Sequence, residues 1–161
     1  MKYIFTDVDG VLTDGRVTID VNGNETKNIC YRDLDAIGVG RRNGYDFVFV
    51  TGEDTEMVSA LAKRFGIEKV YPGAKDKLAV MHRIADEFGV DLSELLYIGD
   101  SDRDTPALEA VGLGIAPRDA TESARNAANH ISRVKGGYGV LLEVVDKLLN
   151  GNLKHPCERT L

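Results

Sequence analysis

Short apolar runs, each followed by a stretch of helical periodicity, set the strongest limit on what this chain can fold into. Tyr3-Ile4-Phe5, Phe47-Val48-Phe49-Val50 and Leu95-Leu96-Tyr97-Ile98 are apolar at consecutive positions. Shorter runs follow at Val70-Tyr71, Leu113-Gly114-Ile115 and His130-Ile131. Strands of that kind bury both faces, as in a parallel sheet covered by helices. The intervening segments supply the helices. Met57, Val58, Leu61, Ala62 and Phe65 recur at helical spacing before Gly66. Leu78, Met81, Ile84, Ala85 and Phe88 do so before Gly89, and Val140, Leu141, Val144, Val145 and Leu148 before Gly151. Glycine directly after such a run is a helix stop. The alternation predicts one α/β domain over residues 1–161, a Rossmann-like doubly wound parallel sheet with helices on both faces.

Residues 16–31 break the alternation. They alternate partly in polarity and carry Asn22-Gly23 at their middle, which predicts a β-hairpin projecting from the sheet. The tail, about residues 152–161, is polar and contains proline; it is expected to be disordered or to dock on a partner.

In open α/β sheets, ligands bind beyond the carboxyl ends of the strands. Asp7-Val8-Asp9-Gly10 follows the first strand, Thr51-Gly52 the second, and Gly99-Asp100-Ser101-Asp102-Arg103-Asp104 the third. Gly73-Ala74-Lys75-Asp76-Lys77 precedes the helix that begins near Leu78. Two aspartates one residue apart at a buried strand end repel each other and resist desolvation, unless they turn into water or meet a cation. Converging carboxylates make a hard oxygen site for Mg²⁺. A hydroxyl beside a backbone N–H, Thr51 with Gly52, suits a phosphate oxygen, and a lysine adds a point charge. Taken together these are the parts of phosphoryl transfer. Asp7 is then the candidate nucleophile, and Asp9 the general acid and base whose carbonyl also reaches toward the metal. Each motif alone has an ordinary explanation in a turn, a helix cap or a solvated surface. Their ordered recurrence at successive strand ends does not.

The composition excludes other classes. A net charge of −6 and a pI near 5.1 disfavour nucleic-acid binding, which needs basic surface. No apolar stretch is long enough to span a bilayer, and the N-terminal MKYIFTD lacks the features of a secretory signal, so no membrane partner and a cytoplasmic location are expected. Cys30 and Cys157 are far apart, and His82, His130 and His155 are scattered, so neither set has metal-ligand spacing.

The order DVDGV, TG, Lys77, GDxxxD resembles that of the haloacid dehalogenase superfamily of phosphatases. Further segments, "DVDGVLTDG", "GAKDKL", "YIGDSDRDTPAL", "VGLGIAP" and "KGGYGVLLEVVDKLL", are similar to its small capless branch, which contains the 3-deoxy-D-manno-octulosonate 8-phosphate phosphatases. The likeness covers nearly the whole chain. Only the hairpin and helices fill the stretches from Asp9 to Thr51 and from Thr51 to Asp76, leaving no room for a cap domain.

The resemblance implies a Mg²⁺-dependent phosphatase for a phosphorylated 2-keto-3-deoxy sugar acid. In it Asp7 is the nucleophile and Asp9 the acid and base; Thr51 and Gly52 hold the phosphoryl group, with Lys77 as its lysine. Asp7, Asp9 and Asp100 form the metal site, Asp104 supports that site or Lys77, and Lys75 is a weaker candidate for Lys77's role. It also implies a homotetramer in which hairpins assemble centrally and neighbours complete each active site.

Two departures stand out. Glu53 follows Thr51-Gly52 where the octulosonate phosphatases show arginine, and Arg32-Asp33-Leu34-Asp35-Ala36-Ile37 replaces their RDGxGI. Glutamate after TG is similar to the branch acting on 2-keto-3-deoxynononate 9-phosphate, which makes Glu53 a candidate substrate-binding residue. Arg64, on the same helical face but too far along the axis to pair with Glu53, could reach a neighbour's site. The competing readings are a non-catalytic oligomerising module, like those fused to sugar-nucleotide synthetases, and a receiver domain phosphorylated on aspartate. The intact Asp7, Asp9, Lys77 and Asp100 argue against the first, and the position of the carboxylates after the first strand against the second.

Overall fold

The computed structural model describes residues 1–158. Six strands form one sheet in the order β5-β4-β1-β6-β7-β8. They are β1 (Lys2–Thr6), β4 (Tyr45–Val50), β5 (Lys69–Tyr71), β6 (Leu96–Ile98), β7 (Leu113–Ala116) and β8 (His130–Ile131), and all neighbours run parallel. The chain winds outward from β1 through β4 to β5, then returns to place β6 on the other side of β1. That reversal is the switch point at which the carboxyl ends of two adjacent strands diverge and leave a crevice.

Alternation along each strand divides the core in two. Ile4, Phe47, Phe49, Leu96 and Ile98 pack with the buried faces of α1 (Tyr31–Arg42), α2 (Glu56–Phe65) and α6 (Val140–Leu149). Phe5, Val48, Val50 and Tyr97 point the other way, against α3 (Lys77–Phe88), α4 (Thr105–Ala110) and α5 (Glu122–Ala127). The expected doubly wound sheet, with helices on both faces and no separate cap domain, is what the chain forms.

The hairpin and the tail differ from expectation, and α1 has no counterpart among the predicted helices. The hairpin is smaller than 16–31: β2 (Thr18–Ile19) pairs with β3 (Glu25–Thr26) over two residues each. Asp20 organises its turn, with Oδ1 accepting from the backbone N–H groups of Asn22 and Asn24 at 2.8 and 2.9 Å. Helix α1 has no clear apolar stripe in sequence, because Gly38 and Gly40 interrupt it. Gly40 is there for packing, since a Cβ would lie 2.7 Å from the Phe47 ring. The tail docks on its own chain at the amino end of the sheet. There the His155 imidazole Nε2 meets the Tyr3 carbonyl at 2.9 Å, and Lys2 pairs with Glu158. Residues 159–161 of the predicted tail lie outside the described residues.

Candidate active site

At the switch point, β1 delivers Asp7 and β6 delivers Asp100, while Lys77 enters from the first turn of α3. Asp76 caps that helix by accepting from the Ala79 N–H at 3.0 Å, which fixes where Lys77 starts. The lysine is buried to 2% exposure. Its Nζ lies 3.1 Å from Asp7 Oδ2, 3.1 Å from Asp104 Oδ1, 2.9 Å from the Val50 carbonyl and 3.1 Å from the Tyr97 hydroxyl. Lys77 therefore occupies the inner wall of the site. Lys75 lines the same cleft but is exposed.

Gly10 lets the two strand ends approach. Its φ is +82°, in the left-handed region, and a Cβ there would stand 1.9 Å from Asp100 Oδ2. The DVDG turn thus needs glycine both for its backbone and for room beside the second carboxylate.

Carboxylate oxygens of Asp7, Asp100 and Asp104 lie within 4.8 Å of one another. Three carboxylates against the single ammonium of Lys77 leave two negative charges in a largely buried cluster. Burial, first, and the Asp104 charge push Asp7 up to about 8, against the opposing pull of Lys77. Burial and Asp104 push Asp100 up to about 7. Asp104 differs: burial would raise it, but Lys77, the Tyr97 hydroxyl and the Ser101 N–H outweigh that and hold it below its ordinary value.

The hydrogen bonds sort these carboxylates further. Asp104 Oδ1 accepts from Tyr97, and its Oδ2 accepts from the N–H groups of Asp100 and Ser101, both at 3.0 Å, and from the Ser101 hydroxyl at 2.9 Å. With its oxygens so engaged, Asp104 braces the Asp100 loop and Lys77 rather than facing an ion. Asp104 directly precedes α4, yet its side chain does not cap that helix and turns back to the loop. Asp7 is less engaged, its Oδ1 accepting from the Val8 N–H at 2.7 Å and its Oδ2 facing Lys77, so that with Asp100 it forms the pair with coordination capacity left. A hard divalent cation such as Mg²⁺ fits this donor set, matching both the oxygen ligands and the excess of two negative charges.

Asp9 stands apart from that cluster. Its Oδ1 accepts from Thr13 Oγ1 at 3.3 Å and from Lys27 Nζ at 2.8 Å, so the carboxylate itself does not join Asp7 and Asp100. Lys27 Nζ is also 2.8 Å from Glu53 Oε2. Burial pulls the Lys27 pKa down, but its hydrogen bonds to Asp9 and Glu53 outweigh this and hold it above the ordinary lysine value. Thr51 is buried at the end of β4, its hydroxyl accepting from the Glu53 N–H at 3.3 Å. Thr51, Gly52 and Glu53 line the cleft beside Asp7, Asp9, Lys77 and Asp100. The cleft measures about 570 Å³, in the range of small-molecule sites.

The predicted site residues converge on this cleft, and Arg64, expected to serve a neighbour's site rather than this one, lies outside it. Its guanidinium lies over the Tyr31 ring of its own chain, 5.6 Å from the centroid. Asp14 stays out of the cluster as well, its Oδ1 accepting from the Arg16 N–H in a turn. Three contributors were missed. Tyr97 carried a signal, since a tyrosine inside a buried strand needs a partner for its hydroxyl. Thr13 lies four residues from Asp9 and was readable as a local contact. Lys27 carried none, because only the folded hairpin brings it to Asp9.

Comparison with known proteins agrees with this geometry. Residues 63–143 match the family model of haloacid dehalogenase-like hydrolases. The 3-deoxy-D-manno-octulosonate 8-phosphate phosphatase of Yersinia pestis is 32% identical over 149 residues, covering 92% of this chain and 80% of the relative. That of Haemophilus influenzae is 31% identical over 154 residues, covering 96% and 86%. Among solved structures, the Moraxella catarrhalis enzyme in complex with magnesium, phosphate and the octulosonate superposes with a TM-score of 0.87 at 29% identity, covering 100% of this chain and 94% of that one. The cobalt-bound Haemophilus influenzae enzyme gives 0.85 at 31% identity, covering 93% and 88%. The chain belongs to the haloacid dehalogenase-like hydrolases and is a metal-dependent phosphatase of their capless branch, closely related to the octulosonate 8-phosphate phosphatases.

Proposed function

We propose that the chain hydrolyses the phosphate monoester of a 2-keto-3-deoxy sugar acid, either 3-deoxy-D-manno-octulosonate 8-phosphate or 2-keto-3-deoxynononate 9-phosphate, through an aspartyl-phosphate on Asp7. The observation that carries this is the seating of Asp7 between Lys77, 3.1 Å away, and the Asp100 carboxylate, at the floor of a cleft lined by Thr51 and Gly52. Relatives with octulosonate phosphatase activity support the substrate class, and Glu53 supports the nononate as the second candidate.

In the proposed reaction, Thr51 and Gly52 bind the phosphoryl oxygens and Lys77 adds positive charge beside the nucleophile. Asp7 attacks phosphorus, and Asp9 gives its proton to the leaving alkoxide, then takes one from the water that hydrolyses the intermediate. Asp7 and Asp100, with the Asp9 carbonyl as a further candidate ligand, would hold Mg²⁺, which would supply positive charge against the phosphoryl group. Asp104 and Tyr97 keep Lys77 and the Asp100 loop in place.

Asp7→Asn should lower phosphate release at least about 10³-fold, the scale expected when a covalent nucleophile is lost, while the circular dichroism spectrum stays native. Retained turnover would sink the assignment. Comparing kcat/KM on the two sugar-acid phosphates then chooses between them.

The same reading includes a homotetramer in the cytoplasm. Val17, Ile19 and Val21 of the hairpin are exposed, Val21 fully, which supports an assembly built on it. Two free cysteines suit a reducing compartment, and among the described residues no helix is long and apolar enough to cross a membrane. Light scattering after size exclusion tests the tetramer, and a monomer across micromolar concentrations would overturn it.

A further inference from the structure

Lys27 sits in an unusual place for a hairpin lysine. It directly follows β3, whose two residues are exposed, yet its side chain is only 5% exposed. Removing an ammonium from water and freezing four torsions is unfavourable, so its partners must compensate. Those partners are Asp9 Oδ1 and Glu53 Oε2, each at 2.8 Å. Thr13 Oγ1 reaches the same Asp9 oxygen at 3.3 Å. One oxygen of Asp9 is therefore held from two sides. The other, Oδ2, has no protein partner among the described residues. Glu53, meanwhile, holds the lysine from across the cleft.

We propose that Lys27 is a positioning residue for the general acid and base: it fixes Oδ1 of Asp9 against Thr13, with Glu53 as its anchor, and leaves Oδ2 as the oxygen that exchanges protons with the leaving group. This rests on the phosphatase reading above and gives Glu53 a definite task. In the first half-reaction an Asp7 oxygen bonds to phosphorus and the ester P–O bond breaks. The leaving oxygen keeps that electron pair and takes the proton from Asp9 Oδ2. In the second, the oxygen of water bonds to phosphorus, its proton goes to Asp9, and the bond from phosphorus to Asp7 breaks. The sum is ester plus water giving alcohol plus phosphate. Lys27 keeps its protons throughout.

The leaving group tests this. An alkoxide needs the proton, whereas p-nitrophenolate leaves well without it, and kcat/KM reports the steps up to departure of the alcohol. Lys27→Met should lower kcat/KM for a small alkyl ester, glycerol 2-phosphate, by about 10- to 100-fold, less than the roughly 10²- to 10⁴-fold that general acid–base catalysis supplies, because Asp9 itself remains. On p-nitrophenyl phosphate the loss should be far smaller, about threefold. Lys27→Arg, which keeps a donor, should recover part of the alkyl rate. Glu53→Ala should show the same selectivity with a smaller loss, and adding it to Lys27→Met should cost little more.

Equal losses on both esters, or no loss on the alkyl ester, would overturn the proposal and leave the phosphatase reading intact. Wild-type protein inactive on every ester would overturn both. Unfolding midpoints establish that each variant folds. If Lys27→Met does not, Lys27→Arg and Glu53→Ala carry the same comparison.

Discussion

At the scale of single residues, the site depends on groups that leave no room for substitution. Gly10 is one of them, since its missing Cβ is what lets Asp100 come up beside the first strand's loop. Gly10→Ala would combine a left-handed backbone with a direct overlap on Asp100 Oδ2. We expect it to weaken Mg²⁺ affinity by at least about tenfold, the lower end of what displaced metal-site support costs. A magnesium titration of activity checks this, and unchanged half-saturation would contradict it. Tyr97 acts differently. Burial, and then the charges of Asp104 and Asp7, push its hydroxyl well above the ordinary value, so it remains a donor to Asp104. The buried lysine thus has its charge matched by a carboxylate whose remaining lone pairs are occupied.

At the scale of elements, α1 and α6 depend on each other through one carboxylate. Helix α6 starts after Gly139, which offers no capping side chain. Asp33, in the first turn of α1, does that work from a distance: its Oδ1 accepts from the N–H groups of Leu141 at 2.9 Å and Leu142 at 3.3 Å. Its Oδ2 is buried with no hydrogen-bond partner among the described residues. Burial raises the Asp33 pKa to about 6 from 3.8, against those hydrogen bonds. Because the folded value lies above the unfolded one, the folded state binds more protons between about pH 4 and pH 6. This group's contribution to stability is therefore fullest at the acid end and is lost as pH rises through about 6. Asp33→Asn keeps an acceptor for the amides but cannot ionise. The difference in unfolding free energy between variant and wild type should shift in the variant's favour as pH rises from 4 to 7. Asp33→Ala, which leaves the amides without a cap, should cost about 1–2 kcal/mol. Urea titrations at pH 4, 5, 6 and 7 read both, and a difference independent of pH would refute the first.

The elements also explain what could be read in advance. Helices α2, α3 and α6 show an apolar stripe along 10, 12 and 10 residues, so periodicity locates them. Helices α4 and α5 have six residues each, too few for a period to emerge, and α1 carries glycines where its packing needs space. The strands were legible because being buried on both faces imposes consecutive apolar residues. The hairpin was legible only through its turn, since its pairing spans two residues per strand.

At the scale of the molecule, the cluster ties folding stability to pH and metal. Without a metal, Asp7 near 8 and Asp100 near 7 both lie above their unfolded values. The metal-free protein should therefore lose stability as pH rises from about 4 to 8, because the folded state must give up protons into a crowded anionic cluster. Mg²⁺ competes with those protons, so its stabilising effect should grow over the same interval. The melting temperature measured with EDTA and with excess Mg²⁺ should diverge more at pH 8.5 than at pH 6. A constant gap would contradict the assignment of the cluster as the metal site.

By itself the sequence determined the class of sheet, the strand ends at which chemistry gathers, and the residue types that meet there, because burial and phosphoryl transfer each demand particular residues in a fixed order. Tertiary structure alone decided which carboxylates keep room for a cation and which are occupied by hydrogen bonds. It separated Asp9 from the Asp7–Asp100 pair and fixed how Asp104 acts as a support, through Lys77, Tyr97 and the Asp100 loop. It also brought Lys27 from the hairpin to a carboxylate 18 positions away. Local spacing carries no trace of such contacts, since they arise only when the sheet's switch point and the hairpin close on the same cleft.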